Sequence, residues 1–183
     1  MRREAHSTQH LLRHKPFNKY CEECIKCKMN AKRHYAGSYQ REPKKWGEIV
    51  AADHLVTTKR GKKHGVRGYK NAINIKDLCS GLMASVPEDK FSTSARKAFK
   101  WFCGNRKIQK IYSDNSGELI AAADQLGVPH EASEPGAPVT NCIAERNNQD
   151  ILNMSKPALC RAGLPACCWP YAAPYVCFQK NTH

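Results

Sequence analysis

The sequence predicts an α/β domain with a mixed sheet, its elements in the order β-β-β-α-β-α-β-α-α, preceded by a small segment that cannot fold on apolar contacts alone. Three observations lead there. Residues 48–57 (Glu-Ile-Val-Ala-Ala-Asp-His-Leu-Val-Thr) form a short run, mostly apolar on both faces, as a central strand does. Beyond it, segments of alternating polarity give way to segments with helical spacing, the pattern of a hairpin followed by helical crossovers. Residues 1–36 are basic and rich in His and Cys but poor in large aliphatics, so they need a metal or a neighbour to hold a structure.

Taken in order, residues 37–47 combine Gly, Pro and charge and read as a linker, which puts the domain boundaries at 1–36, 37–47 and 48–183. The run from Glu48 leads into a basic loop, Lys59 to Lys70. Ala72 to Lys76 alternates, Gly81 to Pro87 follows the turn-like stretch Asp77 to Ser80, and the two make a hairpin. Ser92 or Ser94 is placed to cap a helix whose apolar positions Ala95, Ala98, Phe99 and Phe102 share one face. Lys107 to Tyr112 alternates again and stops at Ser113-Asp114-Asn115. A helix over 118–126 and a short strand over 128–132 come next. Pro135 to Pro138 turns the chain into a long helix, 140–162, which Pro157 is expected to kink or split. The last segment, Cys167 to Phe178, is apolar at helical spacing and reads as a core or interface helix.

Size and composition narrow the function. A chain of 183 residues with 41% hydrophobic and 25% charged residues has room for one packed domain and a small accessory element. The net charge is +14, and 18 of the 30 Lys/Arg but only 6 of the 16 Asp/Glu lie in residues 1–70, so a polyanion partner is expected on the first third. The start carries no apolar run of the secretory kind, and no apolar stretch reaches the roughly 18–20 residues of a membrane span, so an intracellular protein with no membrane partner is expected. Its ten cysteines are then expected to be reduced, with the seven outside the first 36 residues filling the core.

Asp53 stands inside the apolar run, where an ionised carboxylate is costly to bury without compensation. Asp114 ends another strand and Glu145 opens a helix, so the three can meet at one sheet edge. Clustered carboxylates repel one another unless a cation sits among them, and an all-oxygen set suits Mg²⁺. Paired divalent ions in such a cluster activate water and stabilise in-line displacement at phosphorus. Asp77, Glu118 and Glu131 are rival ligands: Asp77 opens the hairpin turn, Glu118 reads as a capping or supporting group, and Glu131 as exposed.

Ahead of the domain, His10-x3-His14 and Cys21-x2-Cys24 supply two imidazoles and two thiols at the spacing of a tetrahedral Zn²⁺ site. His6 and Cys27 repeat that spacing, so the register stays open. The loop residues Lys59, Arg60, Lys62, Lys63, Arg67 and Lys70 suit a DNA backbone. Lys26, Lys28, Lys32, Arg33, Lys44 and Lys45 extend the positive surface. Tyr35, Tyr39 and Trp46 lie among them as stacking groups or as packing anchors for the linker.

Three blocks carry a resemblance: Ala52-Asp53-His54, Tyr112-Ser-Asp114-Asn115, and Pro135 through Asn141-Cys-Ile-Ala-Glu145-Arg-Asn147. In order, they resemble the catalytic blocks of retroviral-type integrases, above all those of copia-like LTR retrotransposons, in the ribonuclease H-like superfamily. Over residues 10–178 the resemblance implies a five-stranded mixed sheet with flanking helices. It implies that Asp53, Asp114 and Glu145 bind two Mg²⁺ or Mn²⁺, that a 3′ end of element DNA is trimmed by water, and that the freed 3′-OH attacks target DNA. Asn141 is then expected to touch DNA or to hold the helix of Glu145, and the His/Cys cluster looks like the HHCC zinc element of that family. Cys142 stands where the family usually has Gly. Homo-oligomers, action in the nucleus and a core truncated at its C-terminus go with this reading. A nuclease or transposase on the same fold, and a DNA-binding remnant without catalysis, are the alternatives.

Overall fold

The computed structural model describes residues 2–7, 10, 18–22, 24, 42–56, 64–89, 91–133 and 142–182. The chain divides into two compact units, Met1–Gln40 and Arg41–His183.

In the first unit the described residues include one helical turn, α1 (Arg2–Ala5). Ser7 Oγ donates to the Glu4 carbonyl (2.8 Å) and accepts from the His10 N–H (3.2 Å), which starts the next turn at His10. An Asx turn follows: Asn18 Oδ1 accepts the Tyr20 N–H at 3.0 Å and the Asn18 carbonyl accepts the Cys21 N–H at 3.1 Å, presenting Cys21 inward. Ala5, Cys21 and Cys24 make up the small buried cluster here, and side chains of that size contribute only roughly 1 kcal/mol each.

The second unit is built on a five-stranded mixed sheet. Its strands are β1 (Val50–Val56), β2 (Asn71–Asp77), β3 (Met83–Glu88), β4 (Ile111–Ser113) and β5 (His130–Ala132), in the spatial order β3-β2-β1-β4-β5. β1 is central, antiparallel to β2 and parallel to β4, which is why it is apolar on both faces. The hairpin β2–β3 is antiparallel and β4–β5 parallel. The helices are α2 (Ser92–Cys103), α3 (Gly117–Leu126), α4 (Cys142–Arg161) and α5 (Trp169–Thr182).

Two apolar clusters divide the work. Val50, Ala52, Ile73, Ile75, Ala84 and Ile111 point from the sheet toward Ala95, Ala98, Phe99 and Phe102 of α2 and Leu119, Ala122 and Ala123 of α3. Met83 packs with Ile151 of α4 and with Ala173, Val176 and Cys177 of α5. Alternation along each strand therefore feeds two covered faces. The parallel half requires crossovers through α2 and α3, and Gly127, in the left-handed conformation (φ 64°), ends α3.

Several elements differ from expectation. β4 begins at Ile111, because the Gln109 N–H donates to the Gly47 carbonyl (2.7 Å) and residues 107–110 follow the incoming chain. Phe91 is the N-cap of α2 and no side chain caps it; Ser92 is already helical. α4 runs through Pro157 as one helix instead of splitting, since Asn153 and Pro157 are exposed and water can satisfy the carbonyl that proline leaves without a donor. Of the seven cysteines expected in the core only Cys177 is buried; Cys79, Cys142 and Cys160 are exposed and Cys103, Cys167 and Cys168 half-buried. No disulfide joins any two of the nine described cysteines.

Trp46 turns out to be a packing anchor. Its ring stacks on Phe102 with centroids 6.0 Å apart, and Arg106 lies 3.8 Å above it. Gly47 must be glycine twice over: its φ is +75°, and a Cβ there would lie 2.5 Å from the Lys107 carbonyl oxygen.

Candidate active site

Register brings the first two carboxylates together. Ala52 and Ser113 are the last paired residues of the parallel ladder β1–β4, so Asp53 and Asp114 leave it side by side. Asp53 is half-buried and faces the α4 side of the sheet; Asp114 is half-buried just beyond β4, and its Oδ1 accepts the Ser116 N–H at 3.3 Å. Glu145, exposed in the first turn of α4, supplies the third charge.

The site is electrostatically unsatisfied. Burial first, then the charge of Asp114, pushes the Asp53 carboxyl up to about 6, and Glu145 adds to the rise. A hydrogen bond from the His54 backbone and the charge of the His54 ring pull the other way. Among the described side chains the donor to Asp53 is Asn148, whose Nδ2 lies 2.9 Å from Oδ2. Asn148 Oδ1 in turn accepts from Asn74 Nδ2 at 2.6 Å. His54, the next residue along β1, turns to the opposite face, where its Nε2 lies 2.8 Å from Glu88 Oε1, both side chains buried.

Such a trio of oxygens fits a hard divalent cation, whose charge would relieve the repulsion that holds Asp53 up. Among the described residues the three carboxylates are looser than a closed ligand set; only His10, Cys21 and Cys24 bring ligand atoms all within 4.8 Å of one another. Behind Asp114, Ser113 Oγ lies 2.7 Å from His130 Nε2. Burial lowers the pKa of that imidazole, with Asp124 and Asp114 opposing.

Two of the three rivals have other tasks. Asp77 is fully buried and accepts from the Gly47 N–H (2.9 Å), the Ser80 N–H (2.7 Å) and the Ser80 hydroxyl (2.6 Å). Glu131 is half-buried rather than exposed and pairs with Lys110 at 3.1 Å. Glu118 is half-buried in the first turn of α3.

His10, Cys21 and Cys24 are buried together in the first unit, with Cys24 Sγ 3.4 Å from His10 Nε2. A tetrahedral ion with bonds of about 2.0–2.3 Å sets its ligands roughly 3.4–3.8 Å apart, so that spacing fits Zn²⁺. His6 is exposed and outside this trio. His14 and Cys27, the candidates for a fourth ligand, lie outside the described residues. So do Asn141, Lys59, Arg60, Lys62 and Lys63 of the expected DNA surface, together with Lys26, Lys28, Lys32, Arg33, Tyr35 and Tyr39. Arg67 and Lys70 are exposed around the turn Val66–Gly68. Asn74 and Asn148 were not expected at the site; the i+3 spacing of Asn148 from Glu145 was the available signal.

A mixed sheet in the order β3-β2-β1-β4-β5 with flanking helices has the ribonuclease H-like fold seen in retroviral integrase catalytic cores. The chain superposes on a chain of the simian T-cell lymphotropic virus intasome determined with PP2A regulatory subunit B56 gamma, at a TM-score of 0.58 and 19% identity over 85% of this chain and 56% of that one. It also superposes on the HTLV-2 integrase catalytic core domain in complex with magnesium, in its trimeric form, at a TM-score of 0.52 and 19% identity over 73% of this chain and 84% of that one.

Homologues in sequence are retrotransposon Pol polyproteins. The chain is 38% identical over 89 residues to the retrovirus-related Pol polyprotein from transposon RE2 of Arabidopsis thaliana, and 33% identical over 81 residues to that from transposon TNT 1-94 of Nicotiana tabacum. These alignments cover 45% and 42% of this chain and 6% of each relative's length. No protein-family model matches the chain.

Proposed function

We propose that this chain is an integrase-type polynucleotidyl transferase that trims 3′ ends of element DNA and joins them to target DNA, acting in the nucleus as a homo-oligomer. The observation that carries the reading is the register that sets Asp53 beside Asp114, with the ionised form of Asp53 disfavoured by burial and by the charges of Asp114 and Glu145. Asp53, Asp114 and Glu145 would hold Mg²⁺ or Mn²⁺, which supplies neutralisation of developing charge and a more acidic attacking water. Asn148 donates to Asp53 and so limits the directions its carboxylate can take. Arg67 and Lys70, with Lys59, Arg60, Lys62 and Lys63, would follow the DNA backbone, and Asn141 would stand beside the strand at the entry to α4. Residues 1–36 would form a zinc-holding segment tied by residues 37–47 to a core over 48–183.

Labelled duplex DNA tests the reading. With Mn²⁺ or Mg²⁺ the chain is expected to nick and to give joined products, and Asp114→Asn to lose on the order of 10²–10³-fold or more of both while still binding DNA. Nicking without joined products replaces the integrase reading by a nuclease. DNA binding with no cleavage under either metal leaves a remnant that has outlived its chemistry.

Zinc has its own test. Chelation is expected to make residues 1–36 sensitive to protease while the thermal transition of the core stays in place, because so little apolar surface holds that segment. Equal sensitivity with and without chelator removes zinc from the reading.

A further inference from the structure

The polar residues under α4 form a line in strand register. Asp53 pairs with Asn74 across β1–β2, and Asn74 pairs with Ser85 across β2–β3, so all three side chains rise on the same face of the sheet. Asn74 and Ser85 are almost wholly buried there. Asn74 and Asp53 both reach the helix at Asn148: Asn74 Nδ2 donates to Asn148 Oδ1 at 2.6 Å, and Asn148 Nδ2 donates to Asp53 Oδ2 at 2.9 Å.

That chain of amides has a direction. An ionised carboxylate accepts and cannot donate, so the NH₂ of Asn148 must face Asp53 and its oxygen must face away. Turned over, Asn148 would set its oxygen against the carboxylate and its NH₂ against the NH₂ of Asn74, losing both contacts. Asn74 adds to that preference by filling the Asn148 oxygen with a donor. The buried Oδ1 of Asn74 itself has no hydrogen-bond partner among the described residues, so the residue keeps an unsatisfied acceptor in order to present its donor.

We propose that Asn74 is a positioning residue for the carboxylate site, holding the Asn148 amide in the one orientation that orders Asp53 to receive a divalent cation. The inference rests on the metal reading of Asp53, Asp114 and Glu145 proposed above.

The test counts Mn²⁺ bound to the full chain without DNA, by electron paramagnetic resonance of the free ion, and so needs no turnover. The native chain is expected to bind Mn²⁺ in a manner that Asp114→Asn abolishes. Asn74→Leu, which keeps the branched shape and removes the donor, is expected to weaken that binding roughly tenfold, as loss of a residue that orients a ligand does. Asn148→Leu should weaken it at least as much, and the double variant no more than Asn148→Leu alone, because Asn74 acts through Asn148. Asn74→Ala gives the same loss and serves if the leucine variant does not fold. Native Mn²⁺ affinity in Asn74→Ala or Asn74→Leu overturns the proposal, and so do losses that multiply in the double variant. Asp114-dependent Mn²⁺ binding in a chain that never nicks DNA sinks the proposed activity and leaves the positioning role standing. No Asp114-dependent binding at all overturns both.

Discussion

Asp77 and Asp53 belong to one strand pair, β1–β2: Asp77 faces Val50 at its end and Asp53 faces Asn74 at its middle. Both are removed from bulk water, but their surroundings are reversed. Asp77 receives three hydrogen bonds of 2.6–2.9 Å, two of them from the turn it starts and one from Gly47. Asp53 receives one side-chain amide and looks at two further carboxylates. A buried carboxylate whose lone pairs are filled by its own chain is architecture; one that is crowded by like charge is a place for something else to bind.

The largest effect that would break this comparison is expected at Asp77. Asp77→Ala leaves the Gly47 N–H and both Ser80 donors without their acceptor, and should cost about 3–5 kcal/mol of unfolding free energy in urea. A cost below about 1 kcal/mol would mean that the corner is held by Gly47 and the hairpin instead.

A smaller effect of opposite sign is expected at Asp53. Its carboxyl, at about 6 in the folded chain and 3.8 as a reference, binds more protons folded than unfolded, so its contribution to stability falls as pH rises from about 4 to about 6 and stays lost above that. Asp53→Asn should therefore melt higher than the native chain at pH 7.5 without metal, by roughly 2–4 °C, and alike near pH 4. Mg²⁺ should raise the native melting temperature more at pH 7.5 than at pH 5 and leave the variant unmoved. A variant that melts lower at pH 7.5 would place Asp53 with Asp77 as a structural group.

The same pair shows what could be read from residues in order. An apolar run with one Asp in it is visible as a central strand, and Asp114 and Glu145 are visible because strand ends and helix starts are where side chains converge. Asn74 was hidden by its own pattern. Ala72-Ile-Asn-Ile-Lys76 alternates as a half-exposed strand does, yet α4 and α5 cover the polar face as well, so Asn74 is buried instead of solvated. Lys107 to Lys110 alternate convincingly too, but their backbone is spent on Gly47 and Val50 before any ladder starts. The exposed cysteines misled for a related reason: burial is decided by which face a helix turns inward, and that depends on partners far along the chain.

Pro157 has a mechanical consequence. The half of α4 that begins near Glu145 is fastened to the rest of the unit by buried Ala144, Asn147, Ile151 and Ser155, whereas Pro157, Cys160 and Arg161 are exposed. Between the halves one rung of the helical ladder is missing, because proline has no N–H to give to Asn153. A bend in α4 is therefore easiest at that rung, more than two helical turns past Glu145.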